Sequence, residues 1–165
     1  MARTVLSDHV PIPAANVHRI HGEDPPEQAA VEYAEVLARV FGGDAKQGGS
    51  PPDGCDLVLL GMGDNGHTAS LFPGQAAVTE SVHWVMAQYV EVVGMWRVTL
   101  TPVILNAAHQ VAFLVAGADK AEMLSKVLEG PYQPVVLPAQ IIKPTHGELH
   151  WLVDAAAAAH LRRIA

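Results

Sequence analysis

The stretch CDLVLLGMGDNGHTASLFPG, residues 55–74, joins a continuous apolar run to a loop rich in glycine. The apolar run is typical of a strand in a parallel sheet, because both faces of such a strand are buried. Gly61, Gly63 and Gly66 then spell G-x-G-x-x-G, the spacing of a dinucleotide-binding loop. Since His67 follows the third glycine directly, the loop either holds a nucleotide or presents a histidine to a substrate.

The dinucleotide interpretation asks for more than three glycines. It requires an acidic residue about 20 positions later, at the end of the next strand. Glu80 is near that distance, but it precedes a strand-like segment instead of ending one. The third glycine should also open an apolar helix, whereas the polar residues HTAS follow His67. We therefore favour the second interpretation and expect no nucleotide or other organic cofactor.

Strand-like and helix-like segments alternate along the rest of the chain. This alternation predicts one α/β domain over residues 1–165, a three-layer Rossmann-like sandwich with a mostly parallel sheet. We predict strands in NVHRI, CDLVLLG, HWVMAQYVEVV, WRVTL, QVAFLVAG and ELHWLVD. We predict helices from Pro25 to Phe41, from Pro102 with Thr101 as N-cap, in ADKAEMLSKVLE before Gly130, and after Asp154.

The helix predicted at 25–41 carries an apolar stripe that should face the core. Its members share helical spacing and are Ala29, Tyr33, Leu37 and Val40. Ligands of parallel sheets bind at the carboxyl ends of the strands. This rule indicates the loops that start at Gly61, Thr101 and Gly117 as the place of a site.

Composition excludes several classes of partner. The chain has a formal net charge of −7 and scattered basic residues, which argues against nucleic acid. No apolar stretch reaches the roughly 20 residues of a membrane-spanning helix. Cys55 is the only cysteine and makes no intrachain disulfide, so we expect a reducing, cytoplasmic setting. A monomer or a weak homo-oligomer is the expected state.

His67 is the candidate catalytic residue. If a helix begins at His67, its positive end disfavours the imidazolium and keeps the ring neutral, able to accept a proton from water. The alternative, that His67 only starts a helix, stays open at this point. No metal site is expected, because the chain has no H-E-x-x-H and because His18 and His21 are expected to lack a nearby third ligand.

The segment LGMGDNGHTASLFPG closely resembles the signature of the 6-phosphogluconolactonases, in the glucosamine/galactosamine-6-phosphate isomerase superfamily. Three further blocks resemble that family in the same order: HVPIPAANVHRIHGE, WRVTLTPVILNAAHQVAFLVAGADKAEML, and LPAQIIKP with GELHWLVDAAAA. The superfamily also contains glucosamine-6-phosphate deaminases, whose loop differs after the histidine. The residues TASLFPG are therefore more similar to the lactonase branch.

The resemblance implies hydrolysis of 6-phospho-D-glucono-1,5-lactone, a small sugar-phosphate lactone, without a metal. It implies that His67 activates water and that Arg97 and Lys120 hold the substrate phosphate. Backbone N–H groups from Gly63 to His67 are expected to receive the oxyanion. Two alternatives stay open: a silent domain that only binds sugar phosphate, and an amino-sugar-phosphate deaminase or isomerase.

The sequence departs from the family pattern in two ways. Asn65 occupies the position before Gly66 where the family usually has Asp, and an amide cannot carry the charge of a carboxylate. The N-terminal region of the family, with a Gly/Ser/Thr phosphate loop, has no counterpart in this sequence. The chain thus resembles the C-terminal part of the family fold, and the strand at 55–60 is expected to have an unpaired apolar edge.

Overall fold

A computed structural model of the chain describes residues 2–45 and 48–162. The α-helices are α1 (Ala2–Val5), α2 (Pro26–Phe41), α3 (Pro102–Leu105) and α4 (Ala121–Glu129). The strands are β1 (Val58–Leu60), β2 (Val85–Val90), β3 (Met95–Leu100), β4 (Gln110–Val115) and β5 (Glu148–Val153).

A parallel sheet of three strands, in the order β1-β4-β5, forms the centre of the fold. Its middle strand contributes Val111 and Phe113 to the core, both fully buried. The ring of Phe113 stacks on that of Trp151 in β5, with the ring centroids 4.0 Å apart. The prediction of an α/β fold with a mostly parallel sheet is confirmed.

An antiparallel hairpin of β2 and β3 packs beside this sheet, with α2 lying against both of its strands. The bounds of α2 differ by one residue from the prediction, but the buried face of the helix is rotated. Val40 is 52% exposed, whereas Ala30 and Ala34 are buried together with Ala29 and Leu37. The face rich in alanine is the one that packs, because small side chains let the helix approach the hairpin closely.

Two predicted elements at the ends of the chain differ from the structure. Residues 17–20, within the predicted strand NVHRI, have no regular secondary structure, and Arg19 instead donates to Glu23 at 2.8 Å. A strand needs a neighbouring strand for its backbone groups, and this segment has none among the described residues; the Val17 N–H donates to the Ala14 carbonyl instead. The predicted closing helix is a short 3-10 turn, Ala157–His160, with the Asp154 carboxylate accepting the Ala157 N–H at 2.7 Å.

One face of the parallel sheet is open in the described part of the chain. The open sheet face consists of Leu59, Leu114 and Leu152, which are 51% to 62% exposed. Among the described residues, β1 pairs only with β4, so its other edge is unpaired as expected. None of the described helices has the length and apolar character needed to cross a bilayer.

Candidate active site

The glycine loop that follows β1 folds back on itself. The Gly63 N–H donates to the His67 carbonyl at 2.9 Å, and the Gly66 N–H donates to the Gly63 carbonyl at 3.1 Å. The Thr68 hydroxyl donates to the Gly61 carbonyl at 2.8 Å. These bonds hold residues 61–68 in a compact turn at the carboxyl end of the sheet.

The three glycines of the loop differ in how much space each leaves for a side chain. A methyl group on Gly63 would overlap the imidazole of His67. Gly66 has a φ of +78° and lies 3.0 Å, measured from an added Cβ, from the Leu137 side chain. A methyl group on Gly61 meets nothing within 4 Å, so no steric need for glycine exists there. Gly63 is therefore the glycine that makes room for the histidine ring.

His67 does not begin a helix, so this sequence prediction is wrong. Thr68 and Leu71 form an isolated antiparallel bridge, and Ala69 between them has a φ of +49°, in the left-handed region. The side chains of Asn65 and Thr68 bond to the backbone of the loop, which competes with helix formation. The helix dipole therefore plays no part in the protonation state of His67.

Asn65 orients the imidazole of His67. Its Oδ1 lies 3.2 Å from the His67 backbone N–H and 2.6 Å from Nδ1 of the ring. Because a backbone N–H can only donate, the Asn65 atom facing it is the amide oxygen. That oxygen can only accept, so Nδ1 carries a proton and the neutral ring has its lone pair on Nε2. Phe72 stacks on the other side of the ring, with a centroid distance of 4.2 Å.

The surroundings of His67 lower its pKa below the ordinary value. Partial burial is the largest cause, since it disfavours the charged imidazolium. The cations of Lys120 and Arg97 lower the pKa further, while the carboxylate of Asp64 opposes them. The ring is therefore neutral at neutral pH, and the charges of two other segments, those of Lys120 and Arg97, act on it.

Arg97 lies on β3 and Lys120 in the 3-10 turn Ala118–Lys120 after β4. The Arg97 Nε is buried and has no hydrogen-bond partner within the described part of the chain. A buried donor without a partner is costly, so this atom is suited to an anion that enters the site. The Lys120 side chain is 24% exposed and its Nζ lies 3.3 Å from the Asp119 carboxylate.

Three of the backbone N–H groups expected to receive the oxyanion already donate to acceptors within the loop. The N–H groups of Gly63 and Gly66 donate to carbonyls within the loop, and the N–H of His67 donates to Asn65. The closed turn satisfies these groups internally, because it forms without the helix that was expected to leave them free. These three groups are not free donors, so an oxyanion role in this segment stays a prediction for the N–H groups of Asp64 and Asn65.

Sequence reasoning missed three side chains that hold the site in place. Gln88 on β2 and Thr99 on β3 both bond to the backbone of Ser70, three residues after His67. Asp154, predicted only as a helix cap, also accepts the Gly117 N–H at 3.1 and 3.2 Å. These contacts join residues 18 to 37 positions apart, so no local pattern in the sequence indicates them.

Two other groups were weighed as ligand-binding residues. Glu80 accepts the backbone N–H groups of Ser81 and Val82, so it serves a local turn instead of a ribose. His21, expected to lack further ligands, lies 3.6 Å from Asp24 and 3.9 Å from Glu32. These three side chains can hold a metal ion or, when His21 is protonated, form ion pairs.

The fold and the site define a class: an α/β protein whose first parallel strand leads into a glycine loop with an oriented, neutral histidine beside two cations. The family described as glucosamine-6-phosphate isomerases/6-phosphogluconolactonase matches residues 1–151, so the chain belongs to this family.

Similar proteins are longer than this chain. The 6-phosphogluconolactonase of Synechocystis sp. is 41% identical over 98% of this chain, which spans 65% of that protein. The crystal structure of the devB protein matches 98% of this chain and 65% of its own, with a TM-score of 0.85 and 35% identity. The 6-phosphogluconolactonase structure from Trypanosoma brucei covers 98% of this chain and 66% of its own, at 26% identity and a TM-score of 0.74.

Proposed function

We propose that the chain hydrolyses 6-phospho-D-glucono-1,5-lactone to 6-phosphogluconate, a step of the oxidative pentose phosphate pathway. Two kinds of support exist: relatives named 6-phosphogluconolactonase at 36% and 41% identity, and a site with the groups that this reaction needs. The observation that carries the proposal is the geometry of His67: Asn65 orients its ring, and the cations of Lys120 and Arg97 lie near enough to lower its pKa.

His67 acts as general base in this proposal. The hydrogen bond of Nδ1 to Asn65 leaves the Nε2 lone pair available for a water proton. Nε2 removes a proton from water as the water oxygen attacks the lactone carbonyl carbon. A positioned base of this kind contributes about 10²- to 10⁴-fold to the rate.

Ring opening completes the reaction. The tetrahedral intermediate collapses by breaking the bond between the carbonyl carbon and the ring oxygen. The imidazolium returns its proton to that oxygen, which becomes the C5 hydroxyl of the product. The new carboxylic acid releases one proton to solvent, so the step consumes one lactone and one water and needs no redox partner.

Arg97 and Lys120 bind the substrate phosphate. The guanidinium offers a planar fork for phosphate oxygens, and the ammonium offers a compact charge. A phosphate oxygen at Arg97 Nε gives this buried donor the partner that it lacks. With the phosphate held by Arg97 and Lys120, the lactone ring is confined near these cations, whose charges also act on His67.

The direct test is the loss of lactone above its spontaneous hydrolysis, measured with the purified chain and with His67→Ala. We expect a loss of activity of about 10²-fold or more in this variant. The matched control is His146→Ala, which removes an exposed histidine and should leave the rate unchanged. Equal rates for the wild-type chain and His67→Ala would remove His67 from the mechanism.

The phosphate role has its own test. Arg97→Met should weaken binding of 6-phosphogluconate in calorimetry and leave binding of gluconate, which has no phosphate, unaffected. Arg39→Met removes an exposed arginine from α2 and is the control. An unchanged affinity of Arg97→Met for 6-phosphogluconate would exclude this role.

Binding of sugar phosphate without hydrolysis is the second candidate function. Two observations favour it: the engaged N–H groups of Gly63, Gly66 and His67, and the 65% of the Synechocystis relative that the chain spans. Phosphate-dependent binding of 6-phosphogluconate together with an uncatalysed rate of lactone loss would favour this candidate.

The cellular setting follows from the proposed reaction. A water-soluble phosphorylated substrate and a single cysteine support action in the reducing cytoplasm. The net charge of −7 supports a small-molecule substrate over nucleic acid as the partner.

A further inference from the structure

The β2–β3 hairpin carries two buried polar side chains on the face that also presents Arg97. Gln88 on β2 lies directly opposite Arg97 on β3, and Thr99 follows Arg97 by two residues. Opposite residues of an antiparallel pair, and residues two apart in a strand, share a face. Gln88 is 7% exposed and Thr99 is 3% exposed, so both lie between the hairpin and the rest of the molecule.

Both side chains bind backbone groups of the same residue in the histidine loop, Ser70. The Ser70 N–H donates to the Thr99 hydroxyl oxygen at 3.1 Å, and the Ser70 carbonyl accepts from Gln88 Nε2 at 2.8 Å. Gln88 Oε1 accepts the Ala77 N–H at 3.2 Å. Because an N–H only donates and a carbonyl only accepts, the amide of Gln88 has a single orientation that satisfies both partners.

Ser70 lies in a tight turn that begins one residue after His67. The Leu71 N–H donates to the Thr68 carbonyl at 2.8 Å and closes the turn around Ala69 and Ser70. Ala69 has a left-handed φ of +49°, a conformation that costs free energy in any residue other than glycine. The bonds from the hairpin to Ser70 hold this turn in its strained form.

We propose that Gln88 and Thr99 are positioning residues that set the distance and orientation between His67 and Arg97. Their hydrogen bonds join the loop that carries the base to the hairpin that carries the proposed phosphate ligand. This inference rests on the proposed function for its kinetic consequence. Its structural content, a fixed geometry between the two side chains, is independent of turnover.

The first experiment measures that geometry without catalysis. The pKa of His67 is followed by NMR of the ring in the wild-type chain, Arg97→Met, Thr99→Val and the double variant. Arg97→Met removes a cation and should raise the pKa of His67 when it is made in the wild-type chain. When it is made in Thr99→Val, the rise in the pKa of His67 should be about half as large or less. An equal rise in both backgrounds would overturn the proposal, whether or not the chain hydrolyses lactone.

The second experiment measures the consequence for the reaction. We expect Thr99→Val and Gln88→Met to lower kcat/KM for 6-phospho-D-glucono-1,5-lactone about 10- to 100-fold, since small misplacements cost this much. For D-glucono-1,5-lactone, which has no phosphate to anchor, the change should stay within about threefold. Equal losses on both lactones would indicate a merely structural role and would also overturn the proposal.

Matched variants separate the hydrogen bond from the fold. Thr99→Ser keeps the hydroxyl. The ratio of its kcat/KM values for the phosphorylated and the unphosphorylated lactone should therefore return close to the wild-type ratio. Gln88→Glu keeps the shape but cannot donate to the Ser70 carbonyl when ionised, so it should behave like Gln88→Met. Thr145→Val, which removes an exposed hydroxyl far in sequence from this contact, is the control for the loss of a threonine.

Discussion

The imidazole of His67 is held on three sides by neighbours from its own loop. Asn65 bonds to Nδ1, Phe72 stacks on the ring, and the backbone of Gly63 lies against its edge. This packing removes part of the ring from water, which is the main reason for its lowered pKa. Burial and nearby cations thus supply the effect that the sequence reasoning assigned to a helix dipole.

A methyl group tests the packing at the scale of one residue. Gly63→Ala places a Cβ inside the space of the His67 ring, so we expect displacement of the ring and a loss of lactonase activity of about 10²-fold. Gly61→Ala enters open space two residues earlier and should retain nearly full activity. Steady-state kinetics of Gly63→Ala and Gly61→Ala tests this expectation, and thermal melting confirms that both variants fold. Similar activities of the two variants would contradict the described position of the His67 ring.

At the scale of elements, the sequence predicted those structures that depend on local signals. The start of α2 at Pro26 and the end of α4 before Gly130 follow from proline and glycine signals, and β4 follows from its apolar run. The turn after His67 could not be predicted, because it depends on bonds to Gln88 and Thr99 of a distant hairpin. Residues distant in sequence determine the site, whereas local chemistry determines the elements.

Asp154 stabilises the turn that places Lys120. Hydrogen bonds from the N–H groups of Ala157 and Gly117 hold the pKa of this carboxyl below its usual range. A lowered folded-state pKa stabilises the protein at pH values above the unfolded pKa, and this stabilisation is lost as pH falls through the folded value. The turn before α4 should therefore loosen in strong acid.

Replacing Asp154 tests this turn. Asp154→Ala should lower the Tm at neutral pH and raise the KM for the phosphorylated lactone, because Lys120 loses its fixed turn. The Tm difference from the wild-type chain should shrink as the pH falls below the pKa of an ordinary aspartate, about 3.9. Asp56→Ala, at an exposed position, is the control; a Tm difference that stays constant with pH would refute the assigned bonds.

For the molecule as a whole, the open sheet face and the free edge of β1 favour association. Leu59 combines an exposed apolar side chain with a strand edge that is unpaired within residues 2–45 and 48–162, a combination that promotes contact with another chain. The acidic net charge of −7 opposes this tendency at low salt. We therefore expect a weak homo-oligomer whose affinity between copies of the chain increases with salt concentration.

A charge on the open sheet face tests that balance. Leu59→Lys should shift the chain toward monomer in sedimentation velocity, because a lysine on an edge strand resists pairing. Val40→Lys places the same charge on the exposed side of α2 and should leave association unchanged. Monomeric behaviour of the wild-type chain at high concentration and high salt would contradict this view of the surface.

The pH dependence of kcat/KM for lactone hydrolysis, in the wild-type chain and in Asn65→Asp, tests the account most directly. The base must be deprotonated, so the lowered pKa of His67 predicts activity that persists below pH 6.5 before it falls in the wild-type chain. A carboxylate at position 65 stabilises the imidazolium of His67. In Asn65→Asp, kcat/KM should therefore begin to fall at a pH about one unit or more higher than in the wild-type chain. If kcat/KM fell at the same acidic pH in both proteins, the result would contradict a base that is oriented by Asn65 and kept neutral by its surroundings.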